Sequence, residues 1–330
     1  MTFLARTIQR AKNNIKTIVL PESEDIRTLE AASKVLKDGI ADIILLGDKE
    51  QIRKTSKGLY IPEDKILEID KFERIDEYAN ALYELRKQKG LTLEGAYELL
   101  KNPLYFAVMM VKMSDADGMV AGASHATGET LRPALQILKT AKGTKIVSAF
   151  FIMCVPNCEY GANGVFAYGD AGLVENPDAE QLSDIAISTA KSFEMLVEEK
   201  PIVALLSYST YGSAKSELTE KVVLATKLAK EKAPDLMIDG ELQVDAAIVK
   251  EVGCRKAPNS PVAGKANVMI FPNLDSGNIS YKITERLAKA EAYGPLLQGI
   301  AKPVNDLSRG CSAEDILGVI AITAVQAQNM

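Results

Sequence analysis

The chain has a single histidine, His125, and that scarcity excludes most chemistry built on imidazole. A metal cluster held by several histidines has no donors to draw on. A Ser-His-Asp triad keeps one candidate base, but no Gly-x-Ser-x-Gly elbow accompanies it. His125 therefore reads as a loop residue with a local structural role. Cysteine is also sparse, with four in 330 residues. Cys154 and Cys158 lack the second pair that a zinc motif needs, and Cys254 and Cys311 stand alone. With no secretory segment in the first residues, these cysteines are expected to be reduced thiols in the cytoplasm. No run approaches the ~18 apolar residues that span a bilayer. No basic run or basic half marks a nucleic-acid partner. The net charge is −5, so an anion site must be local and built from a few arginines. Two nucleotide signatures are missing as well. No Gly-x-Gly-x-x-Gly follows a strand, and Tyr211-Gly-Ser-Ala-Lys-Ser216 resembles only the end of a Walker loop, with Ala where Gly should precede Lys.

What is present is ordinary globular composition, 47% hydrophobic and 25% charged, in a length that suits two domains. Apolar strand runs alternate with helical patterns. Thr17–Leu20, Asp42–Leu46 and Gly118–Gly122 read as strands. Helices are expected after Ser23, taken as a cap, over Ile75–Lys89, and over about Glu129–Leu138. Such alternation predicts a parallel sheet with right-handed crossovers. The pattern restarts near Lys142-Gly-Thr144. Strands are expected at Ile146–Met153, Val203–Leu206, Leu236–Asp239 and Val268–Phe271, with helices at Ala179–Leu196, up to about Lys232, at Val244–Val252 and at Ile279–Ala290. The last helix lacks a strand of its own and is expected to pack back on the first domain. The fold class is α/β, two α/β domains with a cleft between them: residues 1–145 with 291–330, and residues 146–290. Ligands of open α/β sheets sit beyond the carboxyl ends of strands, which singles out four polar loops, 123–132, 161–170, 207–215 and 303–310.

The densest chemistry lies in Pro303-Val-Asn-Asp-Leu-Ser-Arg-Gly-Cys-Ser-Ala-Glu-Asp315. It holds two possible nucleophiles, Ser308 and Cys311, the cation Arg309, and the carboxylates Asp306, Glu314 and Asp315. Ile316, Leu317, Ile320 and Val325 recur at helical spacing, with Ser312 as N-cap and Asp315 as its partner in a capping box. The preceding loop would face the positive end of the helix dipole, where anions bind. Arg27, Arg86, Arg132 and Arg309 sit at helix ends or loops, and guanidinium suits bidentate phosphate contacts. Taken singly, each also reads as a solvated surface residue. Gly310 beside Arg309 permits close backbone approach. Cys311 could accept an acyl group if its pKa were lowered, but reads better as a small buried residue. An ordinary Asp titrates about 4.6 pH units below an ordinary thiol, so direct proton transfer is uphill by about 6 kcal/mol. A catalytic Asp315 therefore needs burial, or Arg309 to stabilise the thiolate.

The 303–315 segment resembles the phosphate acetyltransferase (phosphotransacetylase) group of the phosphate acetyl/butyryltransferase family. Collinear blocks extend the likeness over nearly the whole chain: Asp117-Gly-Met-Val-Ala-Gly-Ala123, Leu131-Arg-Pro-Ala-Leu135, Asn176–Ile185, Leu206–Ala214, Asp239-Gly-Glu-Leu-Gln243, Gly277–Lys282 and Gly294–Gly299. The segments Tyr168–Gly172 and Val174-Glu175 depart from the expected pattern. The resemblance implies reversible acetyl transfer between acetyl phosphate and coenzyme A through a ternary complex. It implies a fold like that of isocitrate and isopropylmalate dehydrogenases, and a homodimer. It places Asp315 on the base for the thiol, Ser308 on a hydroxyl that helps the thiolate or intermediate, and Arg309 on the cation that stabilises developing charge. Arg132, Arg86 and Arg27 match substrate-binding arginines, and Ser207, Thr210 and Asn305 complete the expected substrate contacts. No cofactor or metal is implied, coenzyme A being a substrate, and activation by a monovalent cation is left open. The alternatives are a butyryltransferase, a dehydrogenase-like relative and a non-catalytic module on the same fold.

Overall fold

The computed structural model describes residues 1–330, and the chain divides into two compact units, residues 1–142 with 300–330 and residues 143–299. The first unit opens with α1 (Phe3–Asn13), β1 (Thr17–Leu20), α2 (Ile26–Asp38), β2 (Asp42–Leu46), α3 (Lys49–Thr55), β3 (Ile66–Leu67), α4 (Ile75–Arg86), α5 (Leu93–Leu100), α6 (Pro103–Met113), β4 (Gly118–Ala121) and α7 (Thr127–Ile137). Its strands are near-continuous apolar runs, as a sheet buried on both faces requires. The N-cap of α2 is Asp25, whose carboxylate accepts the Arg27 N–H at 2.9 Å. Ser23, the expected cap, instead donates its hydroxyl to the Leu46 carbonyl at 2.6 Å and ties the β1–α2 turn to β2.

The second unit contains β5 (Ser148–Cys154), β6 (Val165–Gly169), α8 (Ala179–Val197), β7 (Ile202–Leu206), α9 (Glu217–Lys232), β8 (Met237–Leu242), α10 (Val244–Ile248), α11 (Lys250–Lys256), β9 (Val268–Ile270), α12 (Leu274–Leu287) and β10 (Glu291–Gln298). The strand order is β10-β5-β6-β9-β7-β8. β5 runs antiparallel to both its neighbours, and the remaining pairs are parallel. Residues 291–298, expected with the first unit, thus belong to the second, because they pair with β5 along its length. The single helix expected over 244–252 is two, broken where Val249 adopts an extended conformation. Phe151 stacks on Tyr281 with ring centroids 4.0 Å apart, in a core that includes Phe166, Tyr168 and Met269. Where the sequence departs from the family pattern, Asp170 is buried and accepts N–H bonds from Ala149, Gly172, Leu173 and Val174. Burial pushes this carboxyl up, against the pull of those donors.

The chain then returns to the first unit as β11 (Val304–Asp306) and α13 (Ala313–Gln328). The completed sheet is parallel throughout, in the order β11-β4-β1-β2-β3. Helix α13 is apolar on all sides and buried from Ile316 to Gln326, and it packs on α1, α2 and β4. A helix without a polar face belongs in an interior. Strands β11, β4 and β1 lie side by side and point the same way. Their carboxyl ends therefore bring together the turns at 21–26, 122–126 and 307–312.

Candidate active site

The 307–312 loop joins β11 to α13. Ser308, Arg309 and Gly310 are exposed, whereas Leu307 and Cys311 on either side are buried. The loop closes on itself through the Cys311 N–H to the Ser308 carbonyl at 2.9 Å and the Gly310 N–H to Ser308 Oγ at 3.3 Å. Two polar side chains, those of Ser308 and Arg309, thus stand on a short turn anchored at both ends. The capping box anticipated for α13 is formed: the Asp315 N–H donates to Ser312 Oγ at 3.2 Å, and Asp315 Oδ2 accepts the Ser312 N–H at 2.8 Å. Asp315 Oδ2 also accepts the Ser312 hydroxyl at 2.8 Å, while Oδ1 carries no bond to the protein. Capping and proton acceptance can therefore use different oxygens of one carboxylate. Glu314 pairs with Lys34 at 2.9 Å with both side chains more than half exposed, a contact worth about 0–1 kcal/mol. Burial pushes the Cys311 thiol up to about 11, which matches its reading as a small buried residue and not an acyl acceptor.

Asp306 had no assigned role, and the structure buries it completely. Its Oδ2 accepts the Thr127 hydroxyl at 2.7 Å, and Oδ1 has no partner. The adjoining backbone is tight: Gly122 sits at φ +113°, and a Cβ there would lie 2.2 Å from Asp306 Oδ1. Burial raises the Asp306 carboxyl to about 6, whereas in an unfolded chain an Asp titrates near about 4. Between those values the folded state holds more protons on this group. Its contribution to stability is present below about pH 4, falls as pH rises through that window, and stays low above about pH 6. Asp306→Asn is neutral at every pH and can keep the Thr127 bond. It should raise stability at pH 7 by about 2–3 kcal/mol, with the gain vanishing below about pH 4. Urea unfolding at pH 4, 5.5 and 7 checks this.

On the β1–α2 turn, Glu22 escaped the sequence reading, and the contacts made by Arg27 were not foreseen. Glu22 is buried, and its carboxylate accepts the N–H groups of Gly122, Ala123, Ser124 and His125 at 2.8–3.1 Å. His125 Nδ1 lies 2.7 Å from the same carboxylate, so the single histidine does have a loop role. The signal available in the sequence was an acidic residue, Pro21-Glu22, directly after an apolar strand. Arg27 Nε and Nη2 bond the Asp25 carboxylate at 3.0 and 2.6 Å, Nη2 also reaches the Ala123 carbonyl at 2.9 Å, and Nη1 reaches the Arg309 and Cys311 carbonyls at 2.9 and 2.7 Å. The ion pair with Asp25 raises the Arg27 pKa and lowers that of Asp25.

The other expected arginines are in the same unit. Arg132 is exposed on α7. Arg86, at the end of α4, is half-buried and donates to the Gln136 carbonyl at 3.5 Å. Arg86 thus reaches the main chain of α7, the helix that carries Arg132. Of the three other expected substrate contacts, Asn305 and Thr210 are enclosed and Ser207 is not. Asn305 is fully buried, and its amide donates to Thr323 Oγ1 at 2.8 Å and Gln326 Oε1 at 2.7 Å, bracing β11 against α13. A side chain so enclosed has no face for a ligand. Thr210 is also buried, and its hydroxyl accepts the Gln243 N–H at 2.9 Å, fixing the turn after β7. Ser207 is half-buried and lines a cavity of about 360 Å³ in the second unit, with Tyr208, Lys221, Phe271 and Ser276.

The family model described as phosphate acetyl/butaryl transferase matches residues 2–324. A phosphate acetyltransferase of Acetivibrio thermocellus is 66% identical over 328 residues, covering 99% of each chain. The crystal structure of a phosphotransacetylase from Streptococcus pyogenes superposes with a TM-score of 0.93 at 41% identity, covering 100% of both chains. A 4-hydroxythreonine-4-phosphate dehydrogenase from Klebsiella pneumoniae shares the fold at a TM-score of 0.54 and 10% identity, covering 96% of this chain and 100% of its own.

Proposed function

The chain belongs to the phosphate acetyl/butaryl transferase family, and we propose that it moves an acetyl group reversibly between acetyl phosphate and coenzyme A in a ternary complex. As a member it is an acyltransferase. The observation that carries the mechanism is the exposed Ser308-Arg309-Gly310 turn beside a capping Asp315 with one carboxylate oxygen free. In the forward step, Asp315 Oδ1 takes the proton of the coenzyme A thiol as sulfur attacks the acetyl carbonyl carbon. The carbonyl oxygen gains the negative charge, and Arg309 stabilises it, with Ser308 as a second donor. Collapse of the tetrahedral species re-forms the carbonyl and breaks the carbon–oxygen bond to phosphate, which leaves as the anion. Arg132 and Arg86 hold that phosphate. The uphill proton transfer is made feasible by coupling it to attack beside a cation, so that no free thiolate accumulates.

Holding both substrates in line supplies much of the remaining acceleration. Arginines provide the positive charge, so the step as written needs no metal or organic cofactor, and a monovalent cation would act only as an activator. A homodimer in the cytoplasm completes the reading. No helix is long and apolar enough to cross a membrane. The family description also covers butyryl transfer, which keeps the same chemistry with a longer acyl chain. Purified protein should release acyl-coenzyme A fastest from acetyl phosphate, compared with propionyl and butyryl phosphate, without added divalent metal or nicotinamide. A preference for butyryl phosphate would reassign the substrate. No turnover with any of them would overturn the reading.

A further inference from the structure

Arg27 matches a substrate-binding arginine in the family resemblance, yet its guanidinium is used in a different way. A guanidinium has five N–H donors, and in Arg27 all five point at protein oxygens. Two engage the Asp25 carboxylate, one the Ala123 carbonyl, and two the Arg309 and Cys311 carbonyls. Those carbonyls flank Gly310, the residue with the greatest backbone freedom in the active-site turn. Ala123 belongs to the neighbouring loop, whose N–H groups are held from the other side by Glu22. The β1–α2 turn therefore grips the β4–α7 loop by both its donors and its acceptors, and grips the β11–α13 loop by two acceptors. Asp25 fixes the guanidinium plane, being at once its bidentate partner and the N-cap of α2.

We propose that Arg27 is a positioning residue that sets the backbone of Arg309 and Cys311 and locks their loop to the 122–125 loop, and that it is not a ligand of the substrate phosphate. The proposal rests on the acyl-transfer reading for its kinetic test. With no donor free, Arg27 has nothing to offer an anion unless the clamp opens. Its effect on the reaction runs through the direction in which the Arg309 and Ser308 side chains leave the turn. Lysine cannot replace it, since a single ammonium cannot reach three carbonyls in two loops while paired with Asp25.

Arg27→Lys keeps the charge and removes the fork, which separates the two roles. A positioning residue predicts a fall in kcat of about tenfold or more, with KM for acetyl phosphate and for coenzyme A within about threefold of wild type. It also predicts faster amide hydrogen exchange in peptides covering 309–312 and 122–125 together. A rise in KM for acetyl phosphate of about tenfold or more at near-normal kcat, with exchange unchanged, would overturn the proposal. So would wild-type kinetics and exchange in the variant. Should Arg27→Lys fail to fold, Asp25→Asn leaves the guanidinium in place and weakens its anchor. The same coupled loosening of both loops is then required, and unchanged exchange overturns the proposal. If wild-type protein turns over no acyl phosphate, the functional reading fails by itself, and exchange in the variants still decides whether Arg27 clamps the two loops.

Discussion

Arg309→Ala should lower kcat by about 10²- to 10³-fold, the loss seen when one donor to a developing oxyanion is removed. The same variant should unfold close to wild type. The Arg309 side chain is exposed on its turn and makes no bond to another side chain, and what holds the turn is its main chain. Exposed substitutions of this kind usually change stability by less than about 0.5 kcal/mol. Rate and stability therefore separate, and thermal unfolding measured beside kcat shows whether they do. Arg309→Lys should recover part of the loss, because a point charge still faces the oxyanion although its planar donors are gone. Near-normal turnover by a folded Arg309→Ala protein would remove the cation from the mechanism. The uphill transfer to Asp315 would then have nothing to offset it.

The parts of this structure that were legible in the sequence are those fixed by local chemistry. The apolar runs at Thr17–Leu20 and Asp42–Leu46 are buried strands, and each parallel pairing follows from the helices between them. The capping box of Ser312 and Asp315 was readable because both partners lie within one helical turn. Strand β10 was not legible, and the reason is visible in its register. Gly294 and Pro295 interrupt the strand pattern, and the pairing with β5 shifts between Tyr293 and Leu296 to accommodate them. A bulge of that kind is where proline and glycine are tolerated in a sheet.

Within the candidate site, the motif marked the exposed 308–310 turn but not the direction of each side chain. Asn305 belongs to the same string as Ser308 and Arg309, yet a strand alternates its faces, and this position points at α13. Glu22 and Arg27 act on residues about a hundred and nearly three hundred positions away in the chain. No local pattern encodes such partners. Asp306 shows the same limit from another side. Its raised pKa comes from burial between β4, α7 and its own strand, which only the assembled sheet produces.

Asp315→Asn and Ser312→Ala should come apart in opposite directions, because in the proposed mechanism one carboxylate caps a helix and accepts a proton with different oxygens. Asparagine keeps an acceptor for the Ser312 N–H, so the helix start survives, but it cannot take the thiol proton. Its kcat should fall by about 10²- to 10⁴-fold, the usual range for a lost general base, with stability near wild type. Ser312→Ala removes the hydroxyl that receives the Asp315 N–H, costing about 1 kcal/mol of stability, and leaves the carboxylate in place. Its kcat should stay within about tenfold of wild type. The residual activity of Asp315→Asn carries its own signature. Without a base the thiol must ionise to solvent, so the rate should rise about tenfold per pH unit up to about 8.5, where an ordinary thiol titrates. Wild type, with the proton taken during attack, should show a shallower rise over the same range. If Asp315→Asn retains its rate while Ser312→Ala loses it, Asp315 is a helix cap alone, and the thiol proton leaves by a route that does not involve this helix.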